Sequence, residues 1–291
     1  MRTRNVFDDF GVVWCRVSCF SWVTWCWVAF VLFVLHPYHS TTIHAAFEFQ
    51  PIGAHTAGVG DVGVALAEGA GGVFWNPAAV AWGKRVSLFG TYDRPFGMVE
   101  LGMQALSVGI KRGRHGIGAR YTGFGFSLYR EHIFGLGYGM RISQRVGLGV
   151  AVRVLQVMVA GLSPRQWVVF DLGLRVHLRQ DVYLGIVSWN TGGTRPSVLG
   201  QGGSIGLGVD VLPKTTVVVD VQKEANFSTG AGFGFVFRVR PELVLRTGVG
   251  SRPVRLSVGF GLKKGILAID YAAVWHTVLG ITHRASVIIG Y

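Results

Sequence analysis

The chain has 291 residues, of which 43 are Gly, 50% are hydrophobic and only 15% are charged, with a formal net charge of +13. About 25% charged is usual for a soluble domain, so ordinary soluble folds are disfavoured, and the glycine content disfavours helical ones. All three cysteines, Cys15, Cys19 and Cys26, lie near the start; the remainder excludes a disulfide scaffold, a cysteine metal site and a cysteine nucleophile.

The first element is a leader. Arg2, Arg4 and Arg16 precede Val17 to Leu35, which carries no formal charge, and a polar stretch ending in Ala45-Ala46 follows. A basic region, an apolar core and small residues at the end describe a secretory signal peptide over residues 1–46. The apolar run is nearly long enough to span a bilayer, so a retained inner-membrane anchor is the competing reading. No small residue precedes Cys26, which sits between Trp25 and Trp27, so no lipid anchor is expected. Loss of the leader would lower the net charge only to +12, because three Arg and two Asp leave together.

Residues 47–83 are rich in Ala and Gly, sparing in charge, and do not alternate. They contain "GVFWNPAAVA", Gly72 to Ala81. Proline disfavours helix at the preceding Asn76, and an Asn side chain bonds nearby backbone, so a helix stop with a capping turn is expected. Small residues let backbone pack closely, which suits a plug in the mouth of a barrel.

From Lys84 onward the period is two. In "VGLGVAVRVLQV", Val146, Leu148, Val150, Val152 and Val154 share one face, while Gly147, Gly149, Ala151 and Arg153 share the other. In a strand these sets point to opposite sides. The same pattern recurs in 170–178, 204–211 and 254–262. One face is apolar throughout; the other is glycine, serine and isolated charges rather than the Lys/Glu/Thr mix of a solvated sheet. Strands of about 9–11 residues with apolar-out, polar-in alternation suit a transmembrane barrel. The expected strands are 85–93, 101–111, 114–124, 131–142, 145–158, 166–178, 181–190, 203–212, 214–222, 227–238, 241–251, 254–263, 266–276 and 281–291, fourteen in all. The fold class is therefore all-β: a transmembrane antiparallel β-barrel of about fourteen strands at 84–291, with an N-terminal hatch at 47–83. Trp167, Trp189, Trp275, Tyr183 and Tyr291 fall near strand ends and are expected to form interfacial girdles.

The order of a small-residue run, "ALAEGAGGVFWNPAAVA" and a barrel resembles the FadL-like long-chain fatty-acid transporter family of outer-membrane barrels, including PorV-like relatives. The resemblance implies that Asn76, Pro77 and Ala78 close a hatch inside the barrel, with Gly58 to Glu68 as the preceding hatch stretch. It also implies an outer-membrane passage for hydrophobic or amphipathic molecules, with long-chain fatty acids as the expected ligand. PorV-like relatives imply an alternative, a scaffold that binds partner proteins without transport. The closing "ASVIIGY" resembles the strand that such barrels present to the barrel-assembly machinery. The chain departs from the family in its short loops, which puts fatty-acid specificity in question. Beyond both readings stands an inner-membrane anchor carrying a soluble β domain.

By parity the lumen receives Arg141, Arg153, Arg175, His177, Arg238, Arg246, Arg255, Lys263 and Arg284, with Asp171, Asp210, Asp220 and Asp270. The tentative ligand contacts are Arg153, Arg175, His177, Arg246, Arg255 and Arg284, since guanidinium groups bind carboxylates well. The bland reading is that these charges pair with one another and with the hatch. Phe74, Trp75 and Trp82 are hatch aromatics that could line an apolar pocket, although packing within the hatch is the favoured reading. The charges are scattered rather than clustered, so no nucleic-acid partner is expected. The expected partners are outer-membrane lipid and a hydrophobic, fatty-acid-like ligand, with the barrel a monomer. No cofactor, metal or catalytic residue is expected: glycine clusters such as "GLGYG" lack the strand-to-helix switch of a dinucleotide site, the His residues lack metal spacing, and no nucleophile elbow is present.

Overall fold

A computed structural model describes residue 47 and residues 49–194, 199–225 and 227–291. The signal peptide expected at 1–46 lies outside the described residues.

Fourteen strands close a barrel: β1 Val86–Arg94, β2 Met103–Arg112, β3 His115–Phe126, β4 Tyr129–Arg141, β5 Val146–Val159, β6 Arg165–His177, β7 Val182–Gly193, β8 Gly202–Leu212, β9 Thr215–Glu224, β10 Gly230–Arg240, β11 Leu243–Ser251, β12 Val254–Lys264, β13 Leu267–His276 and β14 Gly280–Gly290. Each strand pairs antiparallel with its sequence neighbours, and β14 closes on β1 with Ser87 opposite Gly290 and Arg94 opposite His283. Every strand expected from the alternation is present. The expected ends differ most at β10, which starts at Gly230 rather than 227, and at β7, which runs on to Gly193.

The alternation fixes which face goes where. In β12, Val254, Leu256, Val258, Phe260 and Leu262 are exposed on the outer wall, whereas Ser257 opposite them is buried. A wall of exposed Leu, Val, Ile and Phe needs hydrocarbon around it, and lipid supplies it. The barrel begins at Val86 and finishes at Gly290 on one end, the terminal end. Connections 95–102, 127–128, 160–164, 194–201, 225–229, 252–253 and 277–279 mark the other, the loop end.

Residues 49–83 pack against the inward faces of the strands. They form α1 Ala54–Ala57, α2 Gly69–Trp75 and a 3-10 helix, Pro77–Ala81. Almost every residue in this stretch is buried, including Val59, Val62, Val64, Ala70, Ala78 and Ala79 at 1% or less exposure. The core of the molecule is therefore the lumen. Such short helices are not stable alone; the wall supplies the partners for their backbone. Ser286, Ser257 and Ser87 accept hydrogen bonds from the Ala54, Gly60 and Ala70 amides at 2.8–2.9 Å. One oxygen of Asp220 on β9 accepts from both Gly63 and Val64, at 2.7 and 2.9 Å.

Candidate functional site

The Asn-Pro-Ala motif sits where α2 stops. Asn76 is fully buried and extended (φ −155°, ψ 112°), the conformation that a following proline favours. Its Oδ1 accepts from the Ala78 amide at 3.0 Å, capping the 3-10 helix that Pro77 begins. Its Nδ2 donates to the Leu174 carbonyl of β6 at 3.0 Å, and more weakly to Val64 and Ile186 at 3.4 Å. One side chain thus ends a helix, starts another and ties both to the wall. Glycine makes the approach possible. A Cβ on Gly149 would lie 2.1 Å from the Ala78 nitrogen, and one on Gly173 would lie 2.2 Å from the Asn76 Oδ1. The inner face is glycine here because backbone lies against backbone.

A set of ion pairs links the N-terminal segment to the wall. Asp61, held at a positive φ of 61°, receives Arg255 Nε of β12 and an Arg284 guanidinium nitrogen of β14, both at 2.7 Å. Arg284 also reaches Asp93 of β1 at 3.0 Å, so three strands and the segment meet at one buried cluster. Glu68 meets Arg175 of β6 at 2.7 Å, and Arg175 also donates to the Ala67 carbonyl at 2.9 Å. Trp82 lies beneath the Arg175 guanidinium, 5.4 Å from its ring centre, and stacks on His177 at 5.8 Å. Arg246 pairs with Asp270 at 2.7 Å.

Above the segment, toward the loop end, is a cavity of about 80 Å³. Its floor is Phe74, Trp75 and Pro77, and its sides include Phe49, Phe124 and Trp189. Phe49 stacks on Trp189 at 4.8 Å and meets Trp75 edge-on at 5.6 Å. Trp75 is held by its indole N–H to the Ile52 carbonyl at 2.9 Å. Polar side chains interrupt the rings, among them Arg120, Glu131 and Arg153; Arg153 donates to Asp171 and to the Asn190 Oδ1, each at 2.6 Å. Arg120 adds contacts to the Val73 and Phe74 carbonyls at 3.1 and 3.2 Å. The arrangement offers a largely aromatic cavity in the loop-side half of the barrel, where Asp171 pairs with both Arg153 and Arg120. Among the described residues no cluster of His, Cys, Asp and Glu suits a metal ion.

No family model matches the sequence, and no curated protein does. Solved structures do. The CymD monoaromatic hydrocarbon channel matches with a TM-score of 0.65 and 14% identity, over 84% of this chain and 99% of that one. A Pseudomonas aeruginosa FadL homologue matches at 0.59 and 11%, over 80% of this chain and 97% of that one. The Pseudomonas putida toluene transporter TodX matches at 0.59 and 13%, over 83% and 97%. The chain has the FadL-type barrel fold.

Within this FadL-type barrel the residues singled out from the sequence do not gather at one place. Asn76, Pro77 and Ala78 lie under the inner wall of β5 and β6, with Pro77 reaching the cavity floor. Phe74 and Trp75 line the cavity, whereas Trp82 lies away from it against Arg175. Of the six tentative ligand contacts only Arg153 lines the cavity; Arg175, Arg246, Arg255 and Arg284 are paired to carboxylates elsewhere, and His177 is stacked. Three of the expected girdle residues are corrected. Trp167, Trp189 and Tyr183 share the inward parity of Arg175 and Gly185: Trp189 lines the cavity, Trp167 packs on Phe47, and Tyr183 covers Gly208. Only Trp275 and Tyr291, 56% and 77% exposed, face outward. The sequence reading missed Arg120, Asp93 and Glu131 on the wall and Asp61 in the segment. Parity alone would have placed the first three inside.

Proposed function

We propose that the protein is an outer-membrane passage for small hydrophobic molecules, in which residues 47–83 form a hatch. The observation that carries this is the largely aromatic cavity seated beside the Asn-Pro-Ala region in the loop-side half of the barrel. Proteins with the same fold include a monoaromatic hydrocarbon channel and a toluene transporter, which supports the ligand class. Long-chain fatty acids remain within this proposal, but two features favour an uncharged ring. The cavity is small, about 80 Å³, and the lumen arginines that would hold a carboxylate are already matched by Asp and Glu. An acid head would have to displace a buried carboxylate from its arginine, which is costly.

The test is uptake of labelled toluene and labelled oleate into proteoliposomes with and without the protein. Toluene entry that depends on the protein, with little oleate entry, is the expected result. Equal entry of both with and without protein would sink the transport reading and leave the partner-binding scaffold in its place.

A further inference from the structure

Charge is not spread evenly over the barrel. The turns of the terminal end, taken with two residues on either side, and residues 84–87 contain twelve Lys and Arg against two acidic side chains, Asp181 and Glu242. The longer connections of the loop end, taken in the same way, contain seven against three. Most of the formal net charge of +13 therefore gathers at one rim.

These cations form a ring. Arg114, Arg145, Arg179 and Lys214 stand in four of the six turns, Arg240 and Lys264 flank the other two, and all six are exposed. Lys84 and Arg85, also exposed, complete the ring before β1. Among the described residues only Arg179 of these has a carboxylate within ion-pair distance, Asp181 at 3.3 Å. Like charges held this close repel one another, so the ring favours an anionic partner.

The apolar wall shows where that partner lies. On the outer face Arg112 follows Ile110 and Lys264 follows Leu262, each one pleat nearer the rim. Ile110 and Leu262 are 54% and 51% exposed and belong to the lipid-facing wall. The step from hydrocarbon to charge thus takes two residues, about 6–7 Å of strand. Lipid phosphates stand just above their acyl chains at such a step, and guanidinium groups bind phosphate oxygens in pairs. An acidic protein docking from one side would need its cations on that side. Here every turn contributes around the whole circumference, as a surrounding leaflet requires.

We propose that the terminal-end ring binds the phosphates of anionic glycerophospholipids in the leaflet around it. This rests on the reading of the chain as an outer-membrane barrel. In such barrels the short turns face the periplasm. The terminal-end turns have two or four residues, whereas 95–102 and 194–201 at the loop end have eight each. The leaflet is therefore the periplasmic one. Its anionic lipids offset the repulsion within the ring and fix the depth at which the barrel stands.

The test uses the full barrel folded in vesicles of equal parts phosphatidylcholine and phosphatidylglycerol. Both leaflets have the same composition, so the direction of insertion does not matter. Spin-labelled versions of each lipid report the fraction held at the protein surface. Phosphatidylglycerol should associate at least about threefold more strongly than phosphatidylcholine at low salt. The two should become nearly equal at about 1 M salt, where charges are screened within about 3 Å. Replacing Arg112, Arg114, Arg145, Lys214, Arg240 and Lys264 together by Gln should remove most of the preference. Replacing Arg94, Arg130 and Arg165, exposed cations of the loop end, should leave it unchanged. No preference in the wild type, a preference that survives high salt, or one removed by the loop-end substitutions would overturn the proposal. The wild-type salt series needs no variant to fold. A folded barrel with the lipid preference but no toluene uptake would lose only the transport reading, and uptake without the preference would lose only the ring.

Discussion

Asn76 and Pro77 show how much one dipeptide can carry. Asn76 has no exposure, yet both ends of its amide are used, one on the Ala78 amide and one on the β6 carbonyl of Leu174. Pro77 sets the next turn, and its ring fills the space above Gly173. The helix stop expected at this dipeptide is what the backbone does; the tie to the wall could not be read from the sequence, because it depends on which strand lies beneath. Replacing Pro77 with Ala keeps the cap but removes the ring and its restriction of the unfolded chain, an effect of about 0.4–1 kcal/mol. The proposed hatch should seat less firmly. Liposome swelling with small sugars is expected to quicken in Pro77→Ala, and unchanged swelling would count against Pro77 as the gate's support.

At the scale of the N-terminal segment, the proposed hatch, charge rather than apolar packing distinguishes its two anchor points. Asp61 neutralises parts of two arginines from β12 and β14, and Glu68 neutralises one from β6. Asp61→Asn would leave Arg255 and Arg284 buried with too little counter-charge, which costs about 3–5 kcal/mol in such sites. The midpoint of the heat-modifiable gel shift should fall and swelling should rise, whereas the exposed pair Arg179–Asp181 should be dispensable. His55 in α1 gives the element a pH response. Burial pushes its pKa down to about 4; the Arg246 cation adds to this, and Asp270 opposes it. The ring keeps some exposed area but lies within the lumen, its Nδ1 without a hydrogen-bond partner among the described residues. The unfolded chain takes up the proton near 6.5, the folded one only near 4. Stability should therefore be level above pH 6.5 and decline as pH falls from 6.5 to 4. His55→Gln should flatten that decline in the gel-shift midpoint. These anchors were half legible. Parity put Arg175, Arg255 and Arg284 inside, but their partners Glu68 and Asp61 lie in a segment with no period, so nothing in the sequence assigned them.

For the whole molecule, the strands were legible because lipid outside and glycine inside impose a period of two on every one of them. The cavity was not, since Trp189, which lines it, is read as a girdle residue when only its distance from the strand end is considered. The same alternation decides between a barrel in lipid and a soluble β domain on an anchor, and one outward position separates them. Leu136 is mid-strand in β4, 60% exposed, and lies between Ala119 of β3 and Val152 of β5. In a bilayer an arginine there faces hydrocarbon and should cost about 2–4 kcal/mol. On a water-facing sheet the same change would be near neutral or would help solubility. Leu136→Arg is expected to lower the folded fraction in phospholipid vesicles, read by gel shift, while Ile142→Arg in the β4–β5 turn at the terminal end, where Ile142 is already 50% exposed, should fold nearly as well as wild type. Equal folding of both variants would mean that the apolar wall does not meet lipid, and the passage proposed through it would have no membrane to cross.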